Sequence, residues 1–143
     1  MKYIFLTDKF YEDYSHCFEI EQKRFRPYIM LLVKIDEQTF ALPLRSHIKH
    51  KYAFFTDKEN CCGIDYSKAV VITNDSLYVD KINKPTIRDN EHKALLGKEY
   101  IITKEFKKYL ADYKKAIKAK ANRINTKYKF CTLQYFNDQL GII

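Results

Sequence analysis

Tryptophan is absent from this sequence, and glycine and proline occur only three times each. So few chain-breaking residues argue against a long flexible linker or a disordered tail. The four cysteines, Cys17, Cys61, Cys62 and Cys131, form no Cys-x-x-Cys. The adjacent Cys61 and Cys62 are poorly placed to share a metal or a structural disulfide. All four read as reduced thiols of a cytoplasmic protein. The opening MKYIFLTDKF turns polar too early for a signal-peptide core. No apolar run approaches the roughly 18–20 residues that cross a bilayer, so no membrane partner is expected. Glycine-rich nucleotide loops, the GxSxG elbow and the HExxH zinc motif are missing. The acids are too scattered for a two-metal nuclease site. No metal and no cofactor are therefore expected. A nucleic-acid enzyme made from this chain would have to work with His, Lys, Arg, Ser and Tyr. That set suits RNA, which brings its own 2′-hydroxyl nucleophile, better than DNA.

What is present is positive charge. Lys+Arg number 26 against 18 Asp+Glu, a net charge of +8. Such a balance favours a polyanionic partner, because each neutralised phosphate releases counterions, although it also serves solubility. The 12 Tyr and 10 Phe include rings that can stack on unpaired bases, while most are expected in the core. A length of 143 residues with 46% apolar content suits one domain, residues 1–143.

Lys2–Leu6 reads as a short strand, and Thr7 or Asp8 can cap a helix near Lys9–Tyr14. Tyr28–Ile35 (YIMLLVKI) and Thr39–Leu44 (TFALPL) read as an antiparallel hairpin across Asp36-Glu37-Gln38. Ile29, Leu31, Val33 and Ile35 share one face, as do Phe40, Leu42 and Leu44. Joining those faces requires pairs whose residue numbers sum to an odd value. A four-residue loop pairs Lys34 with Thr39 and sets Tyr28 opposite Arg45; a two-residue loop sets it opposite His47 instead. Either register brings Tyr28 beside Arg45–His50, on the face away from the core.

Further along, Lys49–Thr56 is irregular or strand-like, Asp57–Gly63 a loop, Lys68–Thr73 a buried strand, and Ser76–Val79 another strand. Lys81–Arg88 reads as a connector, with a short helix near Asn90–Leu96 ending at Gly97. Thr103 is the predicted cap of a long helix from Lys104 to about Arg123, with Phe106, Leu110, Tyr113 and Ile117 as its apolar stripe. Between Thr103 and Lys129, nine Lys and Arg123 stand against two acids. Thr132–Leu140 is predicted as a last short helix.

Three segments could carry chemistry. Arg45-Ser46-His47-Ile48-Lys49-His50-Lys51 packs a hydroxyl, two imidazoles and three cations into seven residues. Cleavage by a 2′-hydroxyl needs a base for that proton, a donor for the leaving oxygen and positive charge on the phosphorane. His and Lys suit the first two tasks, Arg and Lys the third, and a solvated basic loop would read the same way. Lys23-Arg24-Phe25-Arg26-Pro27-Tyr28 is a basic lead-in to the first hairpin strand, equally suited to guarding a sheet edge. Lys107, Lys114, Lys118 and Arg123 make either an RNA-phosphate platform or an ordinary solvated helix face.

The order and spacing of Lys9–Tyr14 (KFYEDY), Arg26–Ile35 (RPYIMLLVKI), Phe40–Ser46 (FALPLRS), His50-Lys51-Tyr52 and Gly63–Ile72 (GIDYSKAVVI) resemble the ToxN/AbiQ superfamily of type III toxin–antitoxin endoribonucleases. The likeness is greatest to the CptN/TenpN branch. It covers roughly the first 75 residues, and no single motif in it is specific. The resemblance implies an α+β fold: a compact, strongly bent antiparallel sheet, MazF/Kid-like with an SH3-like barrel core. Peripheral helices, a long basic one among them, would surround it. It implies metal-independent cleavage of cellular or phage RNA to 2′,3′-cyclic phosphate and 5′-hydroxyl ends. It also implies inhibition by a repeated pseudoknot antitoxin RNA, which the toxin itself processes, in a closed toxin–RNA assembly with a phage-defence role. DNA is not an expected partner.

Residue by residue, the resemblance sets Ser46 at the family's hydroxyl position after Pro43-Leu44 and Tyr28 at an aromatic position on the first strand. Where ToxN-like members carry a catalytic lysine this chain has Ile48, with Lys49 next, and Arg45 stands in place of a threonine. The expected catalytic set is thus Tyr28, Arg45, Ser46, His47 and Lys49. RNA contacts are expected from Lys23, Arg24, Arg26, His50, Lys51, Lys68, Lys107, Lys114, Lys118 and Arg123. The rival reading from the same residues is a non-catalytic basic RNA-binding module.

Overall fold

The computed structural model describes residues 1–17, 28–119 and 128–142. They form an α+β arrangement with a six-stranded antiparallel sheet. In chain order the elements are β1 (Lys2–Ile4), α1 (Asp8–Asp13), β2 (Met30–Ile35), β3 (Gln38–Arg45), β4 (Ala53–Asp57), β5 (Cys62–Asp65), β6 (Val70–Val71), α2 (Asp75–Tyr78), α3 (Asp89–Leu95) and α4 (Glu99–Lys118). Two 3-10 turns lie at Tyr66–Lys68 and Thr132–Phe136. The expectations for Lys23, Arg24, Arg26 and Arg123 lie outside the described residues.

β3 is the hub of the sheet. One edge pairs with β2 along its length, and the other is shared between β6 (Phe40↔Val71, Ala41↔Val70) and β5 (Leu44↔Ile64, Arg45↔Gly63). β4 closes the far side of β5, and β1 the far side of β2. The ribbon register follows from burial: Leu31 faces Leu42 and Val33 faces Phe40, so the apolar sets share one side. Lys34 pairs with Thr39, and Leu44 N donates to Ile29 O at 2.8 Å, a register that carries Tyr28 opposite Arg45. The register is the one expected of a four-residue loop, yet the loop holds only Asp36 and Glu37, so the expectation that a two-residue loop sets Tyr28 opposite His47 is overturned. Ile35 pairs with Gln38, leaving Asp36 and Glu37 at positive φ (48° and 69°), the pattern of a type I′ hairpin.

Phe40 packs on Phe106 of α4 with ring centroids 5.1 Å apart. α4 buries Ile102, Phe106, Tyr109, Leu110 and Tyr113. The opposite face of the ribbon is covered too, contrary to the expectation that Tyr28 looks away from the core. Met30 and Pro43 are buried, and with Phe10 and Tyr11 of α1 they line one cavity. Thr7 caps α1, its side chain accepting from Phe10 N.

Elsewhere local signals were overridden. Ser76–Val79 is not a strand: Asn74 accepts from Leu77 N and caps α2 over Asp75–Tyr78, which competes successfully with the Leu77/Val79 alternation. Thr103 lies inside α4, which begins at Glu99, because Gly97 (φ 73°) ends α3 and burial of Ile102 rewards one more turn. The strand expected over Lys68–Thr73 shrinks to Val70–Val71, since Tyr66–Lys68 coils into a 3-10 turn. Thr132–Leu140 begins as a 3-10 turn over Thr132–Phe136 rather than an α-helix. Among the described residues, no helix is long and apolar enough to cross a membrane.

Candidate functional site

The chemistry-bearing cluster lies where β3, β4 and β5 meet the Tyr66–Lys68 turn. Asp65 ends β5 and caps that turn, its side chain accepting from Ser67 N at 2.9 Å. The cap position explains an acid inside an otherwise apolar stretch. The carboxylate is 0% exposed and collects further donors. Arg45 Nη1 donates to Oδ2 at 2.6 Å, and Ser67 Oγ donates to Oδ1 at 2.6 Å. His50 Nε2 lies 3.2 Å from Oδ1 and 3.4 Å from Oδ2. Burial alone would raise the Asp65 pKa; the contacts from His50, Ser67 and Arg45 outweigh it and hold the group below the usual carboxylate range.

His50 is held from both sides. Tyr52 N donates to its Nδ1 at 3.0 Å, so a neutral ring carries its proton on Nε2. That same Nε2 faces both the Ser67 hydroxyl, 3.1 Å away, and Asp65. A nucleophile-activating triad needs one nitrogen for the hydroxyl and the other for the acid. The Ser67–His50–Asp65 group matches such a triad in composition only. It is built to fix a carboxylate, and through it Arg45.

Arg45 is 17% exposed at the side chain, and its Cζ lies 5.9 Å from the centroid of the Tyr28 ring. Tyr28 and Arg45, with Tyr11, Lys68 and Thr132, border a cavity of about 30 Å³, enough for a water molecule. Burial, with Tyr28 and Asp8 nearby, pushes Tyr11 up to about 12, so it stays a neutral hydroxyl. Lys68 donates to Phe130 O at 2.7 Å.

The loop after β3 sorts its residues by burial. Ile48 is 3% exposed and its N–H donates to Cys61 O at 3.0 Å. This anchor leaves Ser46, His47 and Lys49 exposed, and half-buried His50 returns to Asp65. His47 takes positive φ (58°). Of the expected residues, the fold thus gathers Tyr28, Arg45, His50 and Lys68. Ser46, His47 and Lys49 stay on the outer rim of the same loop, outside the Asp65 network. Lys51 is exposed beside the Tyr52 ring, 5.8 Å from its centroid. Lys107 and Lys118 are exposed and Lys114 half-buried on α4.

Sequence reasoning missed Asp65 and Ser67. A signal existed: an acid within the apolar GIDYSKAVVI stretch, followed two residues later by serine, is the pattern of a capped turn. Among the described residues, no group of three or more His, Cys, Asp and Glu is arranged to hold a metal ion. The fold and site define an α+β protein with a half-buried arginine, fixed by a buried aspartate, at the open end of a β-ribbon. Comparisons with protein-family models, curated proteins and solved structures returned no match.

Proposed function

We propose that this protein is a metal-independent endoribonuclease toxin of the type III toxin–antitoxin kind. The observation that carries the reading is the Arg45 guanidinium, fixed by buried Asp65 and set against the Tyr28 ring, with the exposed Ser46 hydroxyl next to it in the chain. Arg45 stabilises the charge that develops on the phosphorane, and Ser46 holds a non-bridging oxygen. Tyr28 positions the sugar or base, and rim residues Lys49 or His47 move protons. His50, engaged on both nitrogens, is a positioning residue for Arg45. A net charge of +8 and the lysines of α4 favour RNA backbone as the ligand. The six-stranded antiparallel sheet with surrounding helices is compatible with a bent, MazF/Kid-like scaffold. A structured antitoxin RNA lying over the same residues, in the cytoplasm, completes the reading.

A specific observation favours the rival of a non-catalytic RNA-binding module: both ring nitrogens of His50 are already used within the protein. Incubating the purified chain with RNA in excess EDTA separates the two. The nuclease reading requires cleavage with 2′,3′-cyclic phosphate ends; intact RNA that is nevertheless bound would favour the module.

A further inference from the structure

A second concave region lies beside the Asp65 network and is not needed for phosphate chemistry. It is a groove of about 300 Å³ between the start of β4, the Tyr66–Lys68 turn and α4, bordered by Lys51, Tyr52, Tyr66, Glu105, Lys108 and Tyr109 among others. Its wall is aromatic: the half-buried Tyr52 ring lies 5.7 Å from that of buried Tyr109. Its polar edge is specific. The buried Tyr66 hydroxyl donates to Glu105 Oε1 at 2.8 Å, and burial together with that carboxylate raises the Tyr66 pKa, so the hydroxyl remains a donor that orients Glu105. Two ammonium groups stand at the rim. Lys51 sits over Tyr52 at 5.8 Å, and Lys108 is paired with Asp112 at 2.9 Å.

An ionised carboxylate only accepts hydrogen bonds and an ammonium only donates them. A flat ligand matching this groove must offer adjacent donors on one edge and acceptors on another. Among the bases only guanine does so, with N1–H and the N2 amino group side by side and O6 and N7 as acceptors. Adenine and cytosine present a lone amino group, and uracil a lone N–H. Unpaired bases are recognised in this manner, stacked on an aromatic ring and read along the Watson–Crick edge. One residue of the groove touches the cluster at Arg45: Tyr52 N donates to His50 Nδ1 at 3.0 Å, and the two rings lie 5.8 Å apart at an interplanar angle of 29°.

We propose that this groove is a subsite for one unpaired guanine of an RNA strand. Glu105 accepts from N1–H and the N2 amino group, Lys51 or Lys108 donates to O6 or N7, and the aromatic wall at Tyr52 and Tyr109 borders the base. The assignment takes its ligand class from the nuclease reading but does not depend on cleavage. It makes the base beside the scissile phosphate a determinant of where the chain is cut.

The test uses uncleavable 2′-O-methyl hexanucleotides, one all-uridine, one carrying a single guanosine and one carrying inosine, which lacks the N2 amino group. Affinities are read by fluorescence anisotropy. The guanosine oligomer is expected to bind on the order of tenfold more tightly than the all-uridine one, with inosine between them. Glu105→Gln, an exposed and near-isosteric change, should remove the preference for the guanosine oligomer over the all-uridine one. Tyr66→Phe, which removes the orienting hydroxyl, should weaken the preference. Equal affinity for the three oligomers in the wild-type protein, or a guanine preference that survives Glu105→Gln, would overturn the subsite. A guanine preference in a protein that leaves ordinary RNA intact would uphold the subsite and remove the nuclease reading. Cleavage without any guanine preference would do the reverse.

Discussion

Arg45 and Asp65 meet at 2.6 Å with the carboxylate wholly buried, on strands β3 and β5 that pair only through Leu44↔Ile64 and Arg45↔Gly63. The pair ties the open end of the β2–β3 ribbon to the Tyr66–Lys68 turn, so one ionic contact serves both the fold and the proposed site. Asp65→Ala takes the buried carboxylate away from the Arg45 guanidinium, and breaking a buried pair in this way typically costs about 3–5 kcal/mol. Urea denaturation of the variant should show a loss of that order.

Acid should act on the same contact. The Asp65 pKa is depressed in the folded protein, so its contribution is fully present above the unfolded-chain value near about pH 4. That contribution is lost as pH falls through the lower folded value. Asp65→Asn removes this titration. Urea midpoints followed from neutral pH down to about pH 3 should fall more steeply for wild type than for Asp65→Asn. Parallel curves would show that the pair does not govern the acid limb.

The two serines separate catalysis from folding. Ser67 donates to a buried carboxylate, and Ser67→Ala should cost about 1–3 kcal/mol of stability. Ser46 is exposed, so Ser46→Ala should leave the urea midpoint unchanged while slowing cleavage on the order of 100–1000-fold. Wild-type cleavage by Ser46→Ala would remove that residue from the site.

The parity of the ribbon was legible in the sequence because the apolar faces of β2 and β3 fix it, but parity left Tyr28 opposite either Arg45 or His47, and the turn at Asp36-Glu37 selects the first. The Asp65–Ser67 cap left a local signal, but the contacts of Asp65 with Arg45 and His50 were not legible. They depend on β3 pairing with β5, whose partners are about 20 residues apart and leave no periodic trace in the sequence. Ser46, His47 and Lys49 illustrate the same limit. Their proximity in sequence to Arg45 is real, but buried Ile48 turns them to the rim. α2 and the early start of α4 show caps and burial outvoting alternation and a favourable threonine.

The tight turn offers an independent check on the fold. Glu37 at φ 69° adopts a conformation that favours glycine, and Asp-Gly is a preferred type I′ pair. Glu37→Gly should stabilise the protein by about 0.5–1 kcal/mol, read as a higher urea midpoint with unchanged slope. Destabilisation would contradict the assigned turn.

The lysines of α4 should act through charge alone. Replacing Lys107, Lys114 and Lys118 together by Gln should weaken binding to different single-stranded RNAs uniformly. The slope of log affinity against log salt should fall by about 2. An unchanged slope would mean that this face does not meet RNA.

The most direct test of the central claim is the single-turnover cleavage rate of Arg45→Lys against wild type, in chelator and at saturating protein. Lysine retains a cation beside Asp65, but it cannot serve both the carboxylate and a phosphate as the five-donor guanidinium can. A rate lower on the order of 100-fold, with RNA affinity nearly preserved, is the expected result. Equal rates for the two proteins would contradict the assignment of Arg45 to the reacting phosphate.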